Sequence, residues 1–266
     1  MSRYAITGGR EGKERLDLLA RVMSPTTSRL LELVGLGPGM TCLDVGCGGG
    51  HVALHMAGVV GPGGRVVGTD VDGEILALAR DDAEAAGADN VEFRRSDAAS
   101  FCAGETGLDL AYARFLLSHL GEPGRCLDAM AGACRPGGLI VVEDIDFAGS
   151  FCHPPNAAYE RYTQLYRQVV LRRGGDPNIG PKLPGLLRGA GVEDIRVNVV
   201  QPAHLGGDGK LMASVTMERI SRSVVSEGLA GEDEVAHVLA GLNAAAADPA
   251  TLMSLPRVFQ AWGRRS

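Results

Sequence analysis

The chain has 266 residues, a formal net charge of −6 and 45% hydrophobic side chains. That length and apolar content suffice for one α/β domain with a large insertion or lid, while Lys and Arg scattered without clustering exclude the concentrated basic face that nucleic acid requires. No run of about 18 apolar residues is present and residues 1–10 hold neither an apolar signal core nor a cleavage site, so the expectation is a cytoplasmic protein with a small-molecule partner and neither nucleic acid nor membrane. The six cysteines, Cys42, Cys47, Cys102, Cys126, Cys134 and Cys152, form no C-x-x-C pair and read as reduced thiols rather than a disulfide framework or zinc knuckle.

In chain order, residues 11–22 carry Leu16, Leu18 and Leu19 on a helical period. Ser24-Pro25-Thr26 then predicts a break and a second helix over 27–34, ended by Gly35 and Gly37, so 1–37 reads as a helical prefix. Residues 41–45 are an apolar strand that runs into Gly46, Gly48 and Gly50, and 51–60 are a helix closed by Gly61-Pro62-Gly63-Gly64. A valine-rich strand over 65–70 follows, then Asp72 as the cap of a helix over 74–86 that stops at Gly87. Residues 91–95 read as a third strand reaching Ser96-Asp97-Ala98, 108–113 as a fourth, 127–134 as a helix, and 138–144 as a fifth strand after the turn Arg135-Pro136-Gly137-Gly138. Near-continuous apolar strands alternating with helices predict a parallel, buried sheet.

The pattern changes after residue 146. Residues 147–180 hold Phe147, Phe151, Tyr159, Tyr162 and Tyr166, five of the twelve aromatics in the chain, beside Pro154, Pro155 and Pro177. Aromatics gather where flat ligands bind or lids pack, so 147–190 reads as a lid insertion. Residues 195–200 and 256–262 read as two closing strands, with helices over 211–227 and 232–246 between them, so 191–266 is a hairpin carrying a helical insertion.

The chemistry is concentrated in residues 44–50. Glycine at a strand-to-helix turn lets the backbone take φ > 0 and lets a ligand approach main-chain N–H groups at the electropositive helix start. A dinucleotide fold wants G-x-G-x-x-G, but His51 stands at the third position and the glycines fit G-x-G-x-G instead. With Asp44 at the strand end, the turn 46–50 and a second strand-end acid at Asp70, the segment resembles the class I S-adenosylmethionine-dependent methyltransferases.

The resemblance covers most of residues 38–146 and the terminal hairpin. It implies a doubly wound, Rossmann-like α/β fold whose seven strands, numbered in chain order, lie 3-2-1-4-5-7-6 with the seventh antiparallel, and helical lid insertions over the carboxyl edge. It implies that the backbone of Gly46, Cys47, Gly48 and Gly50 approaches the methionine part of S-adenosylmethionine, and that Asp44 orients its amino group. Asp70 matches the acid for the ribose hydroxyls, Val71 the residue against adenine, Asp97 the acceptor from the adenine amino group and Ala98 the N–H donor to the ring. Arg114 falls where the fourth strand meets the methyl donor, and Tyr4 is expected to fold back over the cofactor.

Methyl transfer chiefly needs donor and acceptor held in line in a dry site. An acceptor that must lose a proton would use a base, and His119 and His153 are the candidates. Phe147, Phe151, Tyr159 and Tyr166 are the candidate substrate wall, with Tyr159, Tyr162 and Tyr166 on one helical face. His51 reads as a helix-start residue touching the glycine loop and His55 as packing. Glu143, Asp144 and Asp146 form an acidic cluster, but strand alternation sends Glu143 to the opposite face, so no metal is expected. The expected function is methylation of a small, planar or partly apolar metabolite at oxygen, nitrogen or carbon, of a secondary-metabolic kind, in a protein whose insertion helices offer a homodimer surface. The alternatives are aminopropyl transfer, which demands an acidic polyamine channel, an NAD(P)-dependent oxidoreductase, which His51 disfavours, and a non-catalytic cofactor-binding domain.

Overall fold

A computed structural model describes residues 9–98 and 105–266. The prefix is one helix, α1 (Gly9–Val34), followed by β1 (Thr41–Val45), α2 (His51–Val60), β2 (Arg65–Asp70), α3 (Gly73–Ala85), β3 (Val91–Arg95) and β4 (Leu108–Arg114). Then come α4 (Pro123–Ala133), β5 (Cys134–Asp146), β6 (Cys152–His153), α5 (Ala157–Arg172), α6 (Leu183–Gly189), β7 (Val192–Val200) and β8 (Ala203–His204). The chain closes with α7 (Asp208–Ser226), α8 (Glu232–Ala247), β9 (Leu252–Ser254) and β10 (Arg257–Arg265).

Because β1, β2 and β4 are apolar on both faces they lie inside the sheet, which runs β3-β2-β1-β4-β5-β10-β7 with β10 antiparallel to both its neighbours. This is the expected 3-2-1-4-5-7-6 order with the last two strands renumbered. One face is covered by α1, α2 and α3 through Leu30, Met56 and Leu76, the other by α4 and α6 through Leu127, Met130 and Leu187. The strand order reverses between β1 and β4, and a crevice opens there at the carboxyl ends. A third apolar cluster joins α5, α7 and α8 through Leu165, Met217 and Leu242, and this helical layer roofs the crevice together with α1.

Two sequence expectations of local structure are corrected. Pro25 does not end the first helix: α1 runs through it, because Met23, Leu30 and Leu31 on either side are fully packed and that burial outweighs the lost main-chain bond. The turn at 135–138 is a bulge inside β5, between the pairs Leu108–Cys134 and Leu110–Leu139, with Gly137 at φ 76°. A second small sheet, β6-β9-β8, was not foreseen, since strands of two or three residues carry no readable alternation. Within residues 147–190, α6 packs under the main sheet while α5 belongs to the roof.

Candidate functional site

β1 delivers Asp44 and then the glycine turn, where Gly46 and Gly48 adopt φ of 69° and 51°. Gly46 is required by its positive φ, and a Cβ there would also stand 2.9 Å from Leu116 Cδ1, which would have to move. The Gly48 N–H donates to Asp70 Oδ2 at 3.0 Å and the Asp72 N–H to Asp70 Oδ1 at 3.0 Å. Asp72 in turn accepts from Glu74 N–H at 2.9 Å and starts α3 as its cap, as the sequence suggests.

Burial pushes the Asp44 carboxyl up to about 7 against the opposing pull of Arg114, and its Oδ2 is buried without a hydrogen-bond partner among the described residues. Asp70 is also raised, first by burial, with the amides of Asp72, Gly48 and Val71 pulling the other way. Burial lifts the Cys47 thiol well above its ordinary range, so it is a neutral packing group.

These residues face one cavity of about 1250 Å³ that reaches from the strand ends to the helical roof. Asp44, Gly46, Cys47, Gly48, Asp70 and Val71 line it, and Asp97, Ala98 and Arg114 line it beside them. Val71 and Asp97 are exposed at its rim. Gly50 does not line it: at φ 77°, with Phe93 Cζ 2.6 Å from where a Cβ would be, it closes the packing of α2 against β3. Tyr4 lies outside the described residues.

The roof half presents Phe147, Tyr159, Tyr162 and Tyr166 to the same cavity. Phe147 stacks on Tyr166 with centroids 4.1 Å apart and meets Tyr162 edge-on at 6.0 Å, while the Tyr159 hydroxyl donates to the Ser254 carbonyl at 2.7 Å. Phe151 and His153 are corrected: both are exposed and neither lines the cavity, because β6 pairs with β9 at the outer edge of the small sheet. His119 does line it, in a 3₁₀ turn after β4, and burial with Arg15 and Arg173 nearby pushes its imidazole down to about 3. It is therefore neutral at working pH and too weak a base for the role expected of it; what it offers is a hydrogen bond.

His51 Nε2 sits 2.9 Å from Asp17 Oδ1 and the ring lines the cavity beside the loop. His55, expected in the packing, is exposed. Asp144 accepts from the Ile145 and Ser118 amides at 2.8 and 3.0 Å, and Asp146 pairs with Arg257 at 2.6 Å. Glu143 lies in a separate buried network, where it accepts from Thr27 at 2.8 Å, from Gln260 at 2.7 Å and from the Tyr112 hydroxyl, while Arg114 donates to Thr27 at 3.0 Å. Among the described residues no group of three or more His, Cys, Asp or Glu is gathered to hold a metal.

The sequence reading missed Arg15, Thr216 and Lys210, all of which line the roof half. The signal for Arg15 was available: Gly12, Arg15, Leu16 and Leu19 share one helical face, so a cation interrupts an apolar stripe.

A family described as "Methyltransferase domain" matches residues 36–171, just over half of the chain. The ubiquinone/menaquinone biosynthesis C-methyltransferase UbiE of Teredinibacter turnerae is 30% identical over 163 residues, which cover 59% of this chain and 63% of that protein. A solved SAM-dependent methyltransferase from Aquifex aeolicus superposes with a TM-score of 0.50 at 24% identity, covering 65% of this chain and 81% of that one. The structure of the [4+2]-cyclase SpnF superposes with a TM-score of 0.55 at 20% identity over 91% of this chain and 81% of that one. At these identities the structural likeness is one of fold. The chain spans between 28% and 63% of the length of the curated relatives it matches.

Proposed function

This chain belongs to the methyltransferase-domain family, of the class I S-adenosylmethionine-dependent type, and from that premise we propose that it transfers a methyl group from S-adenosylmethionine to a small, planar, partly apolar organic acceptor. The observation that carries the reading is Asp44, a buried carboxyl with an oxygen lacking any described partner, turned to the cavity beside the glycine loop. A polar atom buried without a partner costs free energy that a ligand cation would offset.

The donor set fits the cofactor. Asp44 would take its amino group, Asp70 the ribose hydroxyls with its remaining lone pairs, and Asp97 with the Ala98 N–H the adenine edge. The bound cofactor supplies a methyl already activated on a sulfonium, whose S–C electron pair stays on sulfur as the acceptor's pair forms the new bond. What the chain contributes is position and dryness. The Gly48–Asp70 bond holds the loop open, Phe147, Tyr162 and Tyr166 wall off water, and neutral His119 hydrogen-bonds an acceptor without competing as a charge.

Aminopropyl transfer is disfavoured because Asp44, Asp70, Asp72, Glu74, Asp97 and Glu122, the acids of the cavity lining, all belong to the strand-end half and its bordering loops. The experiment is isothermal titration with S-adenosylmethionine, S-adenosylhomocysteine and NADH in parallel. Micromolar binding of the first two and none of NADH supports the reading. Binding of NADH alone overturns it, and no binding at all favours a non-catalytic domain.

A further inference from the structure

The acids of the cavity lining are confined to its strand-end half, and Arg15 stands beyond them in the roof half. Its side chain is 9% exposed and lines the roof half. Arg15 Nε donates to Thr216 Oγ1 at 3.3 Å, while among the described residues its two terminal nitrogens have no hydrogen-bond partner and no carboxylate lies within 4.0 Å. The other cation there, Lys210, is satisfied: its Nζ donates to the Asp248 carbonyl at 2.6 Å and the Leu205 carbonyl at 3.4 Å. A guanidinium set in the wall of an enclosed cavity, with its terminal nitrogens open to that cavity and no described acid beside it, is free to take up an anion. Its planar fork of N–H donors matches a carboxylate in particular.

We infer that Arg15 is the anion site for the methyl acceptor, and that the acceptor carries a carboxylate on a planar, partly apolar body lying against Phe147, Tyr162 and Tyr166. The inference rests on the methyltransferase reading of this cavity. Thr216 is the positioning residue: its hydroxyl holds Nε and leaves the terminal nitrogens to face the ligand. An acceptor anion would also complement the positive charge of the methyl donor in the same enclosed space, which favours the ternary complex.

The test is calorimetric titration of the full chain, loaded with S-adenosylhomocysteine, with 4-hydroxycinnamate, 4-hydroxybenzoate and 2-naphthoate and with the neutral amide of each. The expected result is that at least one acid binds, at least tenfold more tightly than its amide. Arg15→Gln is expected to erase that preference with the affinity for S-adenosylhomocysteine unchanged, and Arg15→Lys to keep part of it. Equal affinity for acid and amide, a preference that survives Arg15→Gln, or cofactor binding with none of the acids bound overturns the inference. If Arg15→Gln does not fold, Thr216→Val is read instead, where a several-fold loss of preference supports it and an unchanged preference overturns it. Failure of the wild-type chain to bind S-adenosylhomocysteine falls on the methyltransferase reading, and the acid-to-amide ratio in the ligand-free chain then decides Arg15 by itself.

Discussion

The Gly48 main-chain N–H donates to Asp70 Oδ2 at 3.0 Å, which ties the tip of the glycine loop to the end of β2. Two segments that would otherwise have to be ordered by the cofactor are thus ordered by each other, and the cost of binding falls accordingly.

Asp70→Ala is expected to weaken S-adenosylmethionine binding at least tenfold, about 1.4 kcal/mol. Stability of the ligand-free chain should fall by no more than about 3 kcal/mol, since the amide interactions lost, from Gly48, Asp72 and Val71, are each worth roughly 1 kcal/mol and the burial that raises Asp70 is relieved. Paired titration calorimetry and thermal melts check this. Collapse of the ligand-free variant would make Asp70 a structural residue.

Asp44 ties binding to pH. Burial pushes it up to about 7, so the ligand-free native state holds a proton that an ordinary unfolded aspartate, near about 3.9, has released. The native state binds more protons across that window, and its stability therefore falls as pH rises from about 4 to about 7. A cationic ligand prefers the ionised carboxylate, so its affinity runs the other way, climbing by up to about tenfold per pH unit and levelling off above about 7. Asp44→Asn should flatten most of the slope in affinity and only reduce the slope in stability, because Asp70, which burial also raises, and Asp144, pushed up to about 6, act in the same direction on stability. Isotherms from about pH 5.5 to 8.5 decide it; a flat wild-type profile counts against Asp44 as the cation's partner.

Removing Glu143 should be costly. Thr27, Tyr112 and Gln260 all donate to this one fully buried carboxylate, and Glu143→Ala leaves three donors and the nearby Arg114 uncompensated. Urea unfolding is expected to show a loss of about 3–5 kcal/mol, with Glu143→Gln milder because it keeps an acceptor oxygen. A loss below about 1 kcal/mol would mean that the network relaxes onto water.

His119 is expected to stay neutral through the physiological range. With its imidazole pushed down to about 3 in the folded chain and near about 6.5 when unfolded, the native state binds fewer protons, so stability drops as pH falls from about 6.5 towards 3. His119→Gln should therefore shift the acid-unfolding midpoint to lower pH, and the ring resonances assigned by that variant should not titrate between about pH 5 and 8. A titration step near about 6.5 would restore His119 as a general base.

The strand-end acids and the glycine loop were legible because their signals are local: an apolar run, a turn that needs φ > 0, and a cap within a few residues. Local rules misled where distant packing outweighed them. Pro25 reads as a helix break until Met23, Leu30 and Leu31 are seen fully buried around it. Residues 147–180 announce a cluster of aromatics, but composition does not say which side chains turn inward. The helical period of α5 put Tyr159, Tyr162 and Tyr166 on one face, and that face meets the cavity; Phe151 and His153 have no such period, and the pairing of β6 with β9, about a hundred residues away in sequence, turns them outward.

The amino-acid sequence by itself determined the strands of the core and the acids and glycines at their carboxyl ends, because strand hydrophobicity and turn chemistry act over a few residues at a time, and the order of those strands came only with the family resemblance that those residues carry. The tertiary structure decided how the other half of the cavity is assembled, since Arg15 on α1 meets Thr216 on α7 across 201 residues of chain, and only the packing of those helices turns one arginine in an amphipathic segment into a cavity-lining cation with no acid beside it among the described residues.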